Sequence, residues 1–225
     1  MNFKNFFTSK YGNEVSFRKE FYEIAFNYLR YNNLMSGVYL EFGVYSGTTF
    51  KLAIDILGQK HNQVCHHFYA FDSFEGMPKA KGIDKNKIWE KNKNIFSVSD
   101  FKKKFFKDLN RINLIEGYYE NSLKDYKLKN DHKKIVLAYI DCDYYSSTLS
   151  VLNWLKNNLS HGMIIAFDDW DLYFGDPLRG QKKAFDEFKK NFSNWDFQDF
   201  FRIKSGGHSF IALDKSKMGK EIYEF

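Results

Sequence analysis

Acidic residues recur at one kind of place in this sequence. Glu41 closes the apolar run that starts at Val38, and Asp72 closes the run His67-Phe68-Tyr69-Ala70-Phe71. Asp141 and Asp143 follow the run 134–140, and Asp168 and Asp169 follow the run 163–167. Carboxylates are rarely buried, so several converging on one edge of a sheet point to a cation or a polyol ligand. Taken singly, Glu41 or Asp72 reads equally well as an ordinary strand end. Asp141, Asp168 and Asp169 suit a hard divalent ion such as Mg2+, which takes about six oxygens, a few from carboxylates and the rest from water and substrate. No Cys/His set competes with them, because Cys65 and Cys142 are the only cysteines. Asp143 lies two residues past Asp141, on the same side if the chain is extended there. It could then accept a proton beside a metal, or cap the helix that follows. Asp72, at the end of the second strand after a glycine turn, is placed as a ribose-binding acid would be. His161 precedes Gly162 in a turn and reads as structural. His208 could reach a site but has no visible partner.

These side chains need a scaffold that presents strand ends together. The segment 38–49 reads as a buried strand, a turn through Gly43 and Gly47, and an apolar helix at 47–58. Such a turn brings backbone N–H groups and a helix N-terminus to a ligand. A helix at 14–32, carrying Phe17, Phe21, Ile24, Ala25, Tyr28 and Leu29, precedes it. Strands are expected at 67–71, 113–116, 134–140 and 163–167, alternating with helices that include 147–159 and 179–192. Ser99 is the expected cap of a helix with Phe101, Phe105, Phe106 and Leu109 on its apolar side. Trp195–Phe201 and Ser209–Leu213 read as an antiparallel pair turning at Gly206-Gly207. The alternation predicts an α/β doubly wound sheet in a single domain over 1–225, with an N-terminal helical segment at 1–36. The segment 76–98, with Gly76, Pro78, Gly82 and six lysines, is a candidate lid insertion.

Composition narrows the classes. A chain of 225 residues with 44% hydrophobic content can bury a large core. The formal charge of +6 comes from lysine runs such as Lys102-Lys103-Lys104, which read as solvated helix faces. No nucleic acid is therefore expected as a partner. No apolar run reaches the ~18 residues of a membrane span, and no secretory leader is visible at the N-terminus, so a soluble cytoplasmic protein is expected. Two other classes stay open on the residues alone: a nicotinamide-dependent oxidoreductase on a similar turn, and a nucleic-acid methyltransferase using the positive charge. Against the first, the turn lacks Gly-x-Gly-x-x-Gly.

Seven stretches, in order, carry a resemblance. Glu41-x-Gly43-Val44-x-x-Gly47 resembles the first motif of class I S-adenosylmethionine-dependent methyltransferases. Phe71-Asp72-Ser73-Phe74-Glu75-Gly76-Met77-Pro78, Ser97-Val98-Ser99 and Ile115-Glu116-Gly117-Tyr118-Tyr119-Glu120-Asn121-Ser122-Leu123 are similar to the macrocin O-methyltransferase family, metal-dependent sugar O-methyltransferases of antibiotic biosynthesis. So are Asp141-x-Asp143-x-Tyr145-x-Ser147-Thr148, Gly162 with Phe167-Asp168-Asp169-Trp170, and Gly180-Gln181-Lys182-Lys183-Ala184-Phe185-Asp186-Glu187-Phe188. The resemblance implies a three-layer, Rossmann-like methyltransferase sheet, order 3-2-1-4-5-7-6, with the last strand antiparallel. It implies S-adenosylmethionine near Glu41, Gly43, Ser46, Gly47 and Thr48, with Asp72, Ser73 and Phe74 at the ribose. It implies Mg2+ on Asp141, Asp168 and Asp169, and Asp143 as general base, an arrangement that resembles the metal site of catechol O-methyltransferase. The implied acceptor is a hydroxyl of a sugar, glycan or secondary metabolite. Relatives make a homodimer a candidate assembly. Tyr45 stands where the generic motif has a middle glycine, and His161-Gly162 replaces a Gly-Gly pair.

Overall fold

The structure is a computed structural model that describes residues 3–58, 64–85 and 95–220, with side chains from residue 14 onward. Seven strands form one sheet in the order β3-β2-β1-β4-β5-β7-β6. The strands are β1 (Gly37–Phe42), β2 (Cys65–Asp72), β3 (Ile112–Glu116), β4 (Ile135–Ile140), β5 (Met163–Phe167), β6 (Trp195–Ile203) and β7 (Gly207–Asp214). The first five pair in parallel, so the ends carrying Glu41, Asp72, Asp141 and Asp168 share one edge. β7 runs antiparallel to both β5 and β6. This is the order and direction implied by the resemblance.

The helices are α1 (Phe3–Tyr31), α2 (Thr48–Leu57), α3 (Val98–Lys104), α4 (Tyr119–Ser122), α5 (Tyr145–Leu155) and α6 (Gly180–Lys190). β1 and β4 are buried along their whole length. Strands covered on both faces must be apolar throughout, which is why 134–140 reads so plainly as a strand. Alternate residues feed two cores. Tyr39, Leu137 and Tyr139 pack against α1, α2 and α3, with Phe21, Tyr22, Phe50 and Phe101. Val38, Leu40, Phe42 and Ile140 pack on the other face against α5 and α6, with Leu152, Phe185 and Phe188.

Several boundaries differ from the sequence reading. α1 starts at Phe3, well before the expected 14. α3 is capped by Ser97, whose hydroxyl accepts the Asp100 N–H at 3.1 Å, rather than by Ser99. That helix ends at Lys104, so Phe101 and Phe105 are buried while Phe106 and Leu109 lie exposed beyond its apolar side. The four-residue α4 was not anticipated, since one turn leaves no periodic signal. Of the candidate lid at 76–98, residues 86–94 lie outside the described residues.

Candidate active site

The β1–α2 turn is shaped by what it cannot accommodate. Gly43 has φ +91°, and a Cβ there would fall 1.9 Å from the Asp141 carbonyl oxygen. Only glycine lets β1 and β4 approach this closely. The next two N–H groups, of Val44 and Tyr45, donate to Asp72 Oδ2 at 2.9 and 2.8 Å. Phe74 N–H donates to Asp72 Oδ1 at 2.8 Å. Asp72 is thus tied to the glycine turn, with lone-pair capacity left on its oxygens. Tyr45, where a glycine was missing, takes φ 42° and still serves as a donor.

A cleft of about 770 Å³ opens at this edge, lined by Gly43, Tyr45, Asp72 and Ser73 together with Asp141, Asp143 and Asp169. Glu41, Ser46, Gly47, Thr48 and Phe74, also expected at a cofactor, are not among the residues that line it. Gly47, φ +72°, faces the Phe105 ring, where a Cβ would come within 2.5 Å. Its glycine is therefore required by packing on α3 rather than by space for a ligand. The hydroxyls of Ser46 and Thr48 pair with each other at 3.3 Å. The Phe74 ring rests on Phe101, with centroids 5.7 Å apart. Pro78, Lys79 and Lys81 of the candidate lid form a further wall of the cleft.

Glu41 is 1% exposed. The Tyr39 hydroxyl donates to its Oε2 and shares a 2.7 Å hydrogen bond with the Tyr22 hydroxyl, while Glu41 Oε1 is buried without a partner. Burial pushes the Glu41 carboxyl up to about 8, against the opposing Tyr39 hydrogen bond and the Arg18 charge. An orphaned buried carboxylate oxygen is a place for a cationic group.

The aspartates are not grouped as expected. One oxygen each from Asp141, Asp143 and Asp169 lies within 4.8 Å of the others. Asp168, expected among the metal ligands, is instead held by Arg18 of α1. Arg18 Nε donates to Oδ1 at 2.9 Å and Nη2 to Oδ2 at 2.5 Å. The Tyr139 hydroxyl also donates to Oδ1. Asp143, expected as base, joins Asp141 and Asp169 in its place. The physical reason is charge: a buried carboxylate takes the nearest cation, and Arg18 reaches Asp168.

Burial raises the Asp141 carboxyl well above the usual range, with Asp168 and Asp169 adding to the effect. Burial and then the charges of Asp143 and Asp168 raise Asp169. Burial pushes Asp143 up to about 7, followed by the charges of Asp141 and Asp168. Carboxylates crowded this way repel one another and call for a cation between them. Oxygens on an octahedral Mg2+ lie ~2.0–2.1 Å from the ion, hence ~2.9 to 4.2 Å from each other. The trio is compatible with that spacing.

Asp143 is a non-glycine residue at φ 54°, a conformation that persists where the surroundings impose it. Its N–H donates to Asp169 Oδ2 at 3.0 Å. It does not cap α5. That role falls to Asp84 of the candidate lid, buried, whose two oxygens accept Tyr145 N–H at 2.7 Å and Ser146 N–H at 3.1 Å. Gln181 of α6 positions Asp169 by accepting its N–H at 2.9 Å, and it donates to the Ile140 carbonyl at 2.9 Å. Arg18, Tyr139, Asp84 and Gln181 had no assigned role in the sequence reading; Gln181 alone lay within a matched motif. His161 accepts Asp214 N–H at 3.0 Å and is structural, as expected. His208 pairs with Asp199 at 2.8 Å.

Known proteins share this fold. The O-methyltransferase NovP superposes with a TM-score of 0.67 at 19% identity, covering 88% of this chain and 80% of its own. The calicheamicin methyltransferase CalS11 superposes at 0.60 and 19% identity, covering 83% and 76%. The SAH-bound methyltransferase PaMTH1 of Podospora anserina reaches 0.50 at 17%, covering 83% and 75%. At these identities the likeness is one of fold. No curated protein matches the chain. The macrocin-O-methyltransferase (TylF) family matches residues 24–195, a span that holds the glycine turn, Glu41, Asp72, Asp84, Asp141, Asp143, Asp168 and Asp169. That match decides against the oxidoreductase reading. The chain belongs to the macrocin-O-methyltransferase family and is an O-methyltransferase.

Proposed function

We propose that this protein transfers the methyl group of S-adenosylmethionine to a sugar hydroxyl, with Mg2+ at the acidic cluster and Asp143 as general base. The reading is carried by one observation. The Asp72-bound glycine turn and the Asp141–Asp143–Asp169 cluster line one cleft. CalS11 is described as a TDP-rhamnose 3'-O-methyltransferase, and the family is one of macrocin O-methylation; both favour a sugar acceptor.

S-adenosylmethionine supplies a methyl on a sulfonium, already a good leaving group. The chain's task is to align donor and acceptor, worth up to ~7–11 kcal/mol, and to make the hydroxyl a nucleophile. Asp72 holds the ribose hydroxyls from a position fixed by three backbone N–H groups. Glu41, with one buried oxygen unpaired, receives the cofactor's ammonium. Asp141 and Asp169 hold the divalent ion. When bound, Mg2+ orients the acceptor and lowers its hydroxyl pKa. Asp143 takes the hydroxyl proton onto a carboxylate oxygen. General-base assistance of this kind typically contributes ~10²–10⁴-fold.

Calorimetry with S-adenosylhomocysteine, and turnover on a panel of sugar glycosides and nucleotide sugars, test the proposal. Asp143→Asn is expected to bind S-adenosylhomocysteine as wild type does and to lose about 10²–10⁴-fold in kcat. Wild-type turnover in the variant removes Asp143 as base. Absence of S-adenosylhomocysteine binding in wild type removes the cofactor.

A further inference from the structure

Arg18 is the feature of the acidic cluster that the methyl-transfer chemistry leaves unused. It lines the cleft, and its side chain and that of Asp168 are 19% and 8% exposed. Both Asp168 oxygens are taken by the guanidinium, and the Tyr139 hydroxyl takes Oδ1 as well. Among the described residues, no lysine or arginine forms an ion pair with Asp141, Asp143 or Asp169. One carboxylate of four therefore has a built-in counter-ion, and it stands next in sequence to a proposed metal ligand.

We propose that Arg18 and a divalent cation are alternative partners of Asp168. Without the ion, Arg18 satisfies Asp168 and offsets part of its charge beside the other acids. With the ion, Asp168 turns to join Asp141 and Asp169, and Arg18 releases it. The two states oppose each other because two cations on one carboxylate repel, and because the bidentate fork holds both Asp168 oxygens in an orientation set by Arg18. An arginine is a persistent competitor, because it keeps its charge at every working pH. The exchange is a side-chain event. Phe21 and Tyr22, one turn on, are fully buried against Tyr139 with ring centroids 6.0 and 5.7 Å away, so α1 itself is fixed. Arg18 thereby becomes a positioning residue that sets metal affinity. The inference rests on the metal reading of the cluster proposed above.

Mg2+ titration by calorimetry, on the full chain with and without S-adenosylhomocysteine, tests it. Arg18→Gln is expected to bind Mg2+ about 10-fold more tightly than wild type, within the usual range of coupling between two sites. In EDTA the same variant should melt below wild type, and Mg2+ should raise its Tm by more. Arg18→Lys keeps the charge but loses the fork, so its Mg2+ affinity should fall between the two. It also serves if Arg18→Gln does not fold. Unchanged or weaker Mg2+ binding in the variants overturns the proposal. So does a complete lack of Mg2+ binding by wild type and variants at millimolar concentration. S-adenosylhomocysteine binding separates this failure from failure of the methyltransferase reading: retained binding leaves that reading standing, and lost binding in wild type removes it.

Discussion

Glu41 keeps its proton unusually long. Its carboxyl is pushed up to about 8 by burial, so the free protein holds it largely neutral at pH 7. An ammonium group brought to the unpaired Oε1 favours the charged form and expels that proton. Cofactor binding at pH 7 is therefore expected to release close to one proton, read as a dependence of calorimetric enthalpy on buffer ionisation heat. Glu41→Gln should abolish that dependence and weaken S-adenosylhomocysteine binding. The stability consequence has a definite sign. The folded pKa lies above the unfolded value, so this group's contribution is full below pH ~4.5 and is lost as pH rises through about 8. Wild type should thus lose Tm between pH 5 and 8 more steeply than Glu41→Gln. Nothing in the sequence revealed the raised pKa, since it depends on how completely the fold buries the carboxyl. What the sequence did reveal was the position of the acid at a strand end.

α5 receives its N-terminal cap from another part of the chain. Tyr144 occupies the cap position and its side chain makes no capping hydrogen bond; Asp84 supplies both acceptors from 61 and 62 residues away. Arg179 adds a second tie by donating to the Ile83 carbonyl at 3.0 Å. The candidate lid is therefore pinned at Asp84 against the helix whose preceding loop carries Asp143. Removing a cap costs ~0.5–2 kcal/mol, and hydrogen bonds to a charged acceptor sit at the upper end of the range for such bonds. Asp84→Ala is expected to lower stability by about 1–3 kcal/mol in thermal or urea unfolding. It should also raise the acceptor KM while leaving S-adenosylhomocysteine affinity near wild type. Asp84→Asn, which keeps an acceptor oxygen, should recover part of both losses. Elements with long periodic patterns were legible: β4 and the helix α5 that follows it can be read from the spacing of apolar residues. The trans cap was not, because a single acid in an irregular, lysine-rich stretch carries no spacing rule. The same holds for Gln181, which meets Ile140 across 41 positions.

The two halves of the site belong to one molecule-wide seam. Gly43 at the end of β1 touches Asp141 at the end of β4, and the donor and acceptor sides meet there. Gly43→Ala must overcome both a positive φ and an overlap with backbone, each worth on the order of 1–3 kcal/mol. It is expected to lower the unfolding midpoint and to weaken S-adenosylhomocysteine and Mg2+ binding together. Gly82→Ala is the control. Its φ is also positive at +55°, but a Cβ there meets nothing within 4 Å. It should cost about 1–2 kcal/mol at most and leave both ligands bound. The shared acidic edge was readable because parallel strands and crossover helices leave periodic signatures and end in one direction, whereas the strand order came from the family resemblance. The pairing of Arg18 with Asp168 was not, since 150 residues separate them.

That separation also fixes an order in time. Arg18 leaves the ribosome long before Asp168 exists, and β7, the neighbour of β5, is made later still. A nascent chain can close α1 over β1 and β2 while the guanidinium has only water for company. The charge balance of the site is settled only when the last third of the chain is added, and no fragment ending before Asp168 can reproduce it.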